Sequence, residues 1–211
     1  MTTSDLARVV VLAGPSGSGK SRLAARLHAA HRWPIVRLDN FYRDGDDARL
    51  PMRDLGGTHL VDWDDPGSWD AEAAVAALRD LVTHGAAEVP RYDIPRSAAV
   101  GTDRVSIAAG QLVLAEGIFA AEIISRLGDE ALLHSAWGVR RPRWLTFVLR
   151  LVRDLSERRK APHILVRRGL ALCRDEPRVV ARMERLGARC ATPREVEHAL
   201  LEATSTDGRA R

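Results

Sequence analysis

The residues Gly14-Pro15-Ser16-Gly17-Ser18-Gly19-Lys20-Ser21 follow the order G-x-x-x-x-G-K-S. Consecutive backbone N–H groups converge on one anion only where Cβ atoms do not intervene, so a glycine-rich turn suits the oxygens of a β-phosphate. In this spacing the Lys20 ammonium reaches the β- and γ-phosphates, and the Ser21 hydroxyl is placed to ligate Mg²⁺. A helix starting at the same point turns its positive end toward the anion. The chemistry implied is the binding of ATP or GTP.

Two carboxylates extend this chemistry. Glu116 follows the apolar run Leu112-Val-Leu-Ala115, and at the end of a core strand a carboxylate can hold Mg²⁺ directly or through water. The alternative is a loop carboxylate turned to solvent. Asp39 follows Ile35-Val-Arg-Leu38; at the same sheet edge it would serve phosphoryl transfer as a base or orienting group for an acceptor hydroxyl. The alternative there is an Asp that only caps the following turn.

These residues need a scaffold. Arg8-Val-Val-Val-Leu-Ala13 is a short, continuous, β-branched run, the pattern of a strand buried on both faces of a parallel sheet. Ser21 to Ala30 carries Leu23, Ala24, Leu27 and Ala30 at helical spacing, and Pro34 to Asp39 reads as a second strand. This βαβ unit implies a right-handed crossover. Residues 40–67 are rich in Asp, Gly and Arg, and read as a long functional loop. A helix from Trp69 or Asp70 to Thr83 follows, with Asp70 as candidate N-cap and Gly85 as stop. Pro90 to Gly101 reads as a polar loop between short strands, Gln111 to Ala115 as a core strand, Ile118 to Leu127 as a helix, and Leu132 to Val139 as a strand. Beyond it, helices are expected over Pro142 to Lys160, which Pro162 ends, over His163 to Leu172 and over Glu176 to Leu186, with fraying after Thr204. The fold class expected is α/β: a mostly parallel sheet with helices on both faces, forming one domain over residues 1–211.

Composition excludes several other classes. Hydrophobic residues make up 45% and charged residues 28%, and no apolar run approaches the roughly 20 residues that span a bilayer. Met1 to Arg8 carries no basic-then-apolar leader pattern, so a cytoplasmic protein without a membrane partner is expected. Cys173 and Cys190, the only cysteines, form neither a disulfide framework nor a metal pattern. The net charge of +4 is a modest excess of arginine rather than a basic tail, and nucleic acid is not expected as a partner. Lys20 and Lys160 are the only lysines, so a lysine kept at position 20 is informative. A homo-oligomer is compatible with all of this.

Four further segments occur in order after the glycine loop: Asp39-Asn-Phe-Tyr-Arg-Asp44, Trp63-Asp-Asp-Pro66 leading to Trp69-Asp70, Pro90-Arg-Tyr-Asp93, and Glu116-Gly-Ile118. Together they resemble the uridine kinase and phosphoribulokinase group of P-loop kinases over most of the chain, from Val9 to Arg159. The resemblance implies that Asp39 accepts the proton of a nucleoside 5′-hydroxyl and that Tyr42 lines that pocket. Asp64 would bind the ribose hydroxyls, Trp63 would lie beside the sugar or base, and Tyr92 would pack on the base. Segments 39–70 and 90–101 would then hold the acceptor. Residues 142–162 would form a helical lid whose Arg150 and Arg153 close over the phosphates. Trp63 and Tyr92 could instead be core aromatics, and the lid arginines one solvated helix face. Ile94 and Ser97 stand where uridine kinases place an aromatic and a histidine, and Val139-Arg-Arg-Pro142 stands where the family places an acidic residue.

The function expected is Mg²⁺-dependent phosphoryl transfer from ATP or GTP to a nucleoside hydroxyl. A kinase of the same group acting on a sugar phosphate or pantothenate, and a non-catalytic nucleotide-binding regulator, are the alternatives.

Overall fold

The computed structural model describes residues 8–54, 57–142 and 177–207. The main sheet contains β1 (Arg8–Ala13), β2 (Ile35–Arg37), β7 (Leu112–Gly117), β8 (Leu133–Val139) and β9 (Arg189–Ala191). They lie in the order β2-β7-β1-β8-β9, every neighbouring pair parallel. Two antiparallel hairpins stand apart from the sheet, β3 (Met52–Asp54) with β4 (His59–Val61), and β5 (Ala86–Asp93) with β6 (Ala98–Ser106). The helices are α1 (Lys20–His31), α2 (Ala71–His84), α3 (Ile124–Asp129) and α4 (Pro193–Asp207), and residues 177–185 are also helical.

Alternation along β1 divides the core into two layers. Val9 and Val11 join Val113 and Ala115 of β7 against Val75, Leu78 and Leu81 of α2 and Leu127 of α3. Val10 and Leu12 join Leu112 and Leu114 against Leu23 and Leu27 of α1 and Val196 and Leu200 of α4. A 14-residue helix is marginal alone in water. Six residues of α2 are buried, and at roughly 1.5–3 kcal/mol per large apolar side chain that packing outweighs propensity. The Asp70 side chain accepts from the Ala73 amide, and Gly85 ends α2 at φ 77°, as the sequence implies.

Elsewhere the structure corrects the expected elements. The second strand stops at Arg37, because Leu38–Phe41 winds into a 3₁₀ turn. The buried Trp69 indole donates to the Leu38 carbonyl at 2.7 Å and fixes that turn. The expected loop at 90–101 is the end of the β5–β6 hairpin. Pro90 fits there because the register shifts between it and Tyr92, a place where a residue lacking N–H is tolerated. The helix expected from Ile118 begins later, as a 3₁₀ turn at Ala120–Ile123 leading into α3. The long segment 40–67 holds the β3–β4 hairpin, and α1 buries Leu23, Ala24 and Leu27 but not Ala30. The helices expected over 142–160 and 163–172 lie outside the described residues.

β9 and α4 complete the C-terminal side. Thr192-Pro-Arg-Glu195 is a capping box: the Thr192 amide donates to the Glu195 carboxylate at 2.7 Å and the Glu195 amide donates to Thr192 Oγ1 at 3.4 Å. Arg26 of α1 makes a two-pronged bond to Glu197 of α4, at 3.1 and 2.8 Å. Thr192→Ala removes one half of the box and is expected to cost about 1 kcal/mol, read as a lower denaturation midpoint with an unchanged slope.

Candidate functional site

Because the main sheet is parallel, its strands deliver their C-terminal ends to one edge, and the chain crosses from one side of β1 to the other there. β1 runs into residues 14–19, β2 into Asp39, and β7 closes with Glu116 and Gly117. Within the loop the Ser18 amide donates to the Pro15 carbonyl at 3.1 Å, and Gly19 caps α1 in the left-handed region at φ 97°. Pro15, Ser16 and Gly17 form the partly exposed outer turn.

Lys20 and Glu116 are buried, at 5% and 6% exposure, although both carry formal charge. Ser21 Oγ donates to Glu116 Oε2 at 3.0 Å. Burial holds the Glu116 carboxyl above its ordinary range; the Lys20 charge and the Ser21 hydrogen bond oppose that shift, and the nearby Asp39 carboxylate adds to it. The hydroxyl and carboxylate form an oxygen-only donor pair, which fits Mg²⁺, a hard cation that keeps several waters and uses one or two protein oxygens plus phosphate. Among the described residues no group of three or more His, Cys, Asp or Glu could hold a metal ion.

On the other side of Glu116, Asp39 Oδ1 accepts from the Ile118 amide at 2.8 Å. Gly117 permits the approach: a Cβ there would lie 2.9 Å from Asp39 Oδ1 and 2.9 Å from Leu38 Cβ. The 3₁₀ turn carrying Asp39 is also tied to segment 68–70. The Arg43 amide donates to Ser68 O at 2.9 Å, the Asp70 amide to Phe41 O at 2.8 Å, and Tyr42 bridges to Trp69.

Tyr42 is the centre of an aromatic cluster. The rings of Trp63, Tyr92 and Phe119 each lie 5.9 Å from its own, edge-on or tilted as ring quadrupoles favour. Its hydroxyl donates to the Trp63 carbonyl at 3.4 Å, and that of Tyr92 to the Arg43 carbonyl at 3.0 Å. Burial, then the charges of Asp39 and Asp64, push the Tyr42 hydroxyl well above the ordinary phenol range, so it stays protonated. Tyr42, Trp63 and Tyr92 are thus brought together near Asp39, and the Asp64 side chain is exposed at the rim. Arg150 and Arg153 lie outside the described residues.

Sequence reasoning missed Phe119, hidden in an apolar run, and the structural part of Gly117 and Ile118. Glu116-Gly-Ile was visible as a motif, but only the packing shows that the glycine admits Asp39. Ser97, in the left-handed region at φ 49°, accepts from the Gly45 amide through its carbonyl at 2.6 Å, and Ile94 is 72% exposed.

The Glu116 shift gives a stability test. A carboxyl whose folded pKa is raised favours the folded state fully below its unfolded value, and that contribution is lost as pH rises through the folded value. Nucleotide-free Glu116→Gln should therefore melt above the wild type at neutral pH, with the gap closing as pH falls toward the ordinary carboxylate range. A gap independent of pH would contradict the assignment.

No family model matches the chain. Over 169 residues it is 25% identical to a uridine kinase of Macrococcus caseolyticus, covering 79% of this chain and 78% of that protein. It is 30% identical over 115 residues to the inorganic pyrophosphatase TTM1 of Arabidopsis thaliana, covering 53% of this chain but only 16% of the plant protein's length. In fold, it superposes on a candidate fructose transport system kinase from Silicibacter sp. TM1040 with a TM-score of 0.62 and 18% identity, over 92% of this chain and 91% of that one. No described helix is long and apolar enough to cross a membrane. In sequence the chain is thus similar to uridine kinases at modest identity, and its fold is the α/β P-loop NTPase fold.

Proposed function

We propose that the chain transfers the γ-phosphoryl group of ATP or GTP to the 5′-hydroxyl of a nucleoside of the uridine or cytidine kind. The observation that carries this reading is Asp39, anchored by one carboxylate oxygen to the end of β7, between the Lys20–Ser21–Glu116 group and the aromatic cluster around Tyr42. A donor site and an acceptor site then share one carboxylate at their border.

In this mechanism the unengaged amides of the glycine loop and the Lys20 ammonium bind the β- and γ-phosphates. Ser21 and Glu116 are the residues that would hold Mg²⁺, which when bound neutralises phosphate charge. The Asp39 oxygen not engaged by Ile118 takes the acceptor proton. The acceptor oxygen forms its bond to the γ-phosphorus as the bond from that phosphorus to the bridging oxygen breaks, releasing the nucleoside diphosphate. Tyr42, Trp63 and Tyr92 give the acceptor a ring-lined surface, and Asp64 at the rim offers a carboxylate to its hydroxyls. Arg150 and Arg153, in the segment 142–162 read as a lid, would close over the transferring group.

A second reading, a kinase of the same group acting on a sugar-type alcohol, is favoured by one observation. At the tip of β5–β6, Ser97 docks the loop at Gly45 and Ile94 faces solvent, so neither supplies an edge-on contact to a pyrimidine. The likeness in fold to a candidate fructose transport system kinase points the same way.

Coupled measurement of diphosphate release over nucleosides, sugars, sugar phosphates and pantothenate separates the two, and release with uridine or cytidine is expected to be highest. If no acceptor stimulates release, the chain is a nucleotide-binding protein without transfer activity. Asp39→Asn should lower kcat by about a hundredfold or more while leaving nucleotide binding intact; full activity in that variant would remove Asp39 from the mechanism.

A further inference from the structure

Among the described residues, two buried side-chain polar atoms have no hydrogen-bond partner, Ser18 Oγ and Arg141 Nε. Both border the phosphate loop. Buried donors are almost always paired in folded proteins, so an orphan donor at the phosphate loop calls for a partner.

Arg141 is not part of the glycine motif, and its placement comes from the far side of β1. β8 runs beside β1, and its last residue packs on the loop so closely that a Cβ on Gly14 would lie 2.6 Å from the Val139 carbonyl oxygen. The Arg140 amide then donates to the Ala191 carbonyl of β9 at 3.0 Å, which pins the chain one residue further. Arg141 is thereby laid over the N-cap of α1: a Cβ on Gly19 would lie 2.9 Å from its Nε, 3.0 Å from Nη2 and 3.2 Å from Cζ.

That position is electrostatically poor for a cation. α1 turns its positive end there, its first turn carries no acidic residue, and the buried Lys20 is its first residue. The one buried carboxylate nearby, Glu116, is engaged by Ser21. A guanidinium held against a helix N-terminus, with its Nε hydrogen unsatisfied, is complementary only to an incoming anion.

We propose that Arg141 is a further ligand of the donor nucleotide, binding its phosphate chain from the β8 side while Lys20 binds it from α1. This inference rests on the donor-site reading given above. It adds a second fixed cation to the phosphate site, independent of the arginines in segment 142–162.

Calorimetric titration of the full chain with ATP and with inorganic tripolyphosphate tests it, using wild type, Arg141→Gln, Arg141→Lys and Lys20→Ala. Arg141→Gln is expected to weaken both ligands roughly tenfold or more, with Arg141→Lys recovering part of the loss. Thermal melts without ligand identify a folding defect, and the lysine variant, which keeps the charge, carries the test if the glutamine variant is unstable. Unchanged affinity in Arg141→Gln would overturn the inference, as would weaker ATP binding with tripolyphosphate binding intact, which indicates contact with the base. If the wild type binds neither ligand, or binds both as well after Lys20→Ala, the donor-site reading itself fails.

Discussion

Burying a charge is tolerable only when other charges or hydrogen bonds compensate for lost water, and this site is arranged around that constraint. Lys20 opens α1 and Glu116 lies at the end of β7, far apart in the chain, yet both are nearly sealed from solvent. The parallel sheet makes the pairing feasible: β1 and β7 are in register side by side, with Leu12 opposite Glu116 and Ala13 opposite Gly117. The cation is carried by the helix that follows β1 and the carboxylate by β7 itself. Ser21 satisfies one carboxylate oxygen, and the remaining imbalance is visible as the upward shift of Glu116.

The Asp39 side of the site depends on a different kind of constraint, a chain of backbone hydrogen bonds that closes segment 38–43 onto segment 68–70. Trp69 is its keystone. The indole is almost fully buried, donates to Leu38, and packs against Phe119, whose ring also touches Tyr42. One tryptophan thus sets the turn that presents Asp39 and backs the aromatic cluster that lies beside it. Asp39 and Tyr42 therefore depend on distant residues as well as on their own neighbours in sequence.

This contrast explains what could be read beforehand. β1, the glycine loop and α1 are signalled by local spacing, as are the Asp70 and Gly85 boundaries of α2, because caps and periodicity act over a few residues. The 3₁₀ turn at Leu38–Phe41 is set by a contact 31 residues away, and no local pattern announces it. The β5–β6 hairpin is largely exposed, so it lacks the apolar alternation that marks a half-buried strand, and Pro90 speaks against one. β9, with only three residues, and α4 were both absent from the expected elements, although Thr192-Pro-Arg-Glu195 has the order of a capping box. For the candidate site, the phosphate loop and Glu116 were legible from spacing and strand ends. Tyr42, Trp63, Asp64 and Tyr92 were legible only through resemblance, since their proximity is made by tertiary contacts.

The capping box at Thr192 has a reach beyond its own helix. The preceding residue, Ala191, ends β9 and supplies the carbonyl that holds Arg140, so the start of α4 and the exit of β8 are anchored within two residues of each other. The C-terminal helix therefore acts as a foundation for the nucleotide side of the sheet, though it contributes no residue to it. One backbone hydrogen bond thus ties the start of that helix to the residues that leave β8 beside the glycine loop.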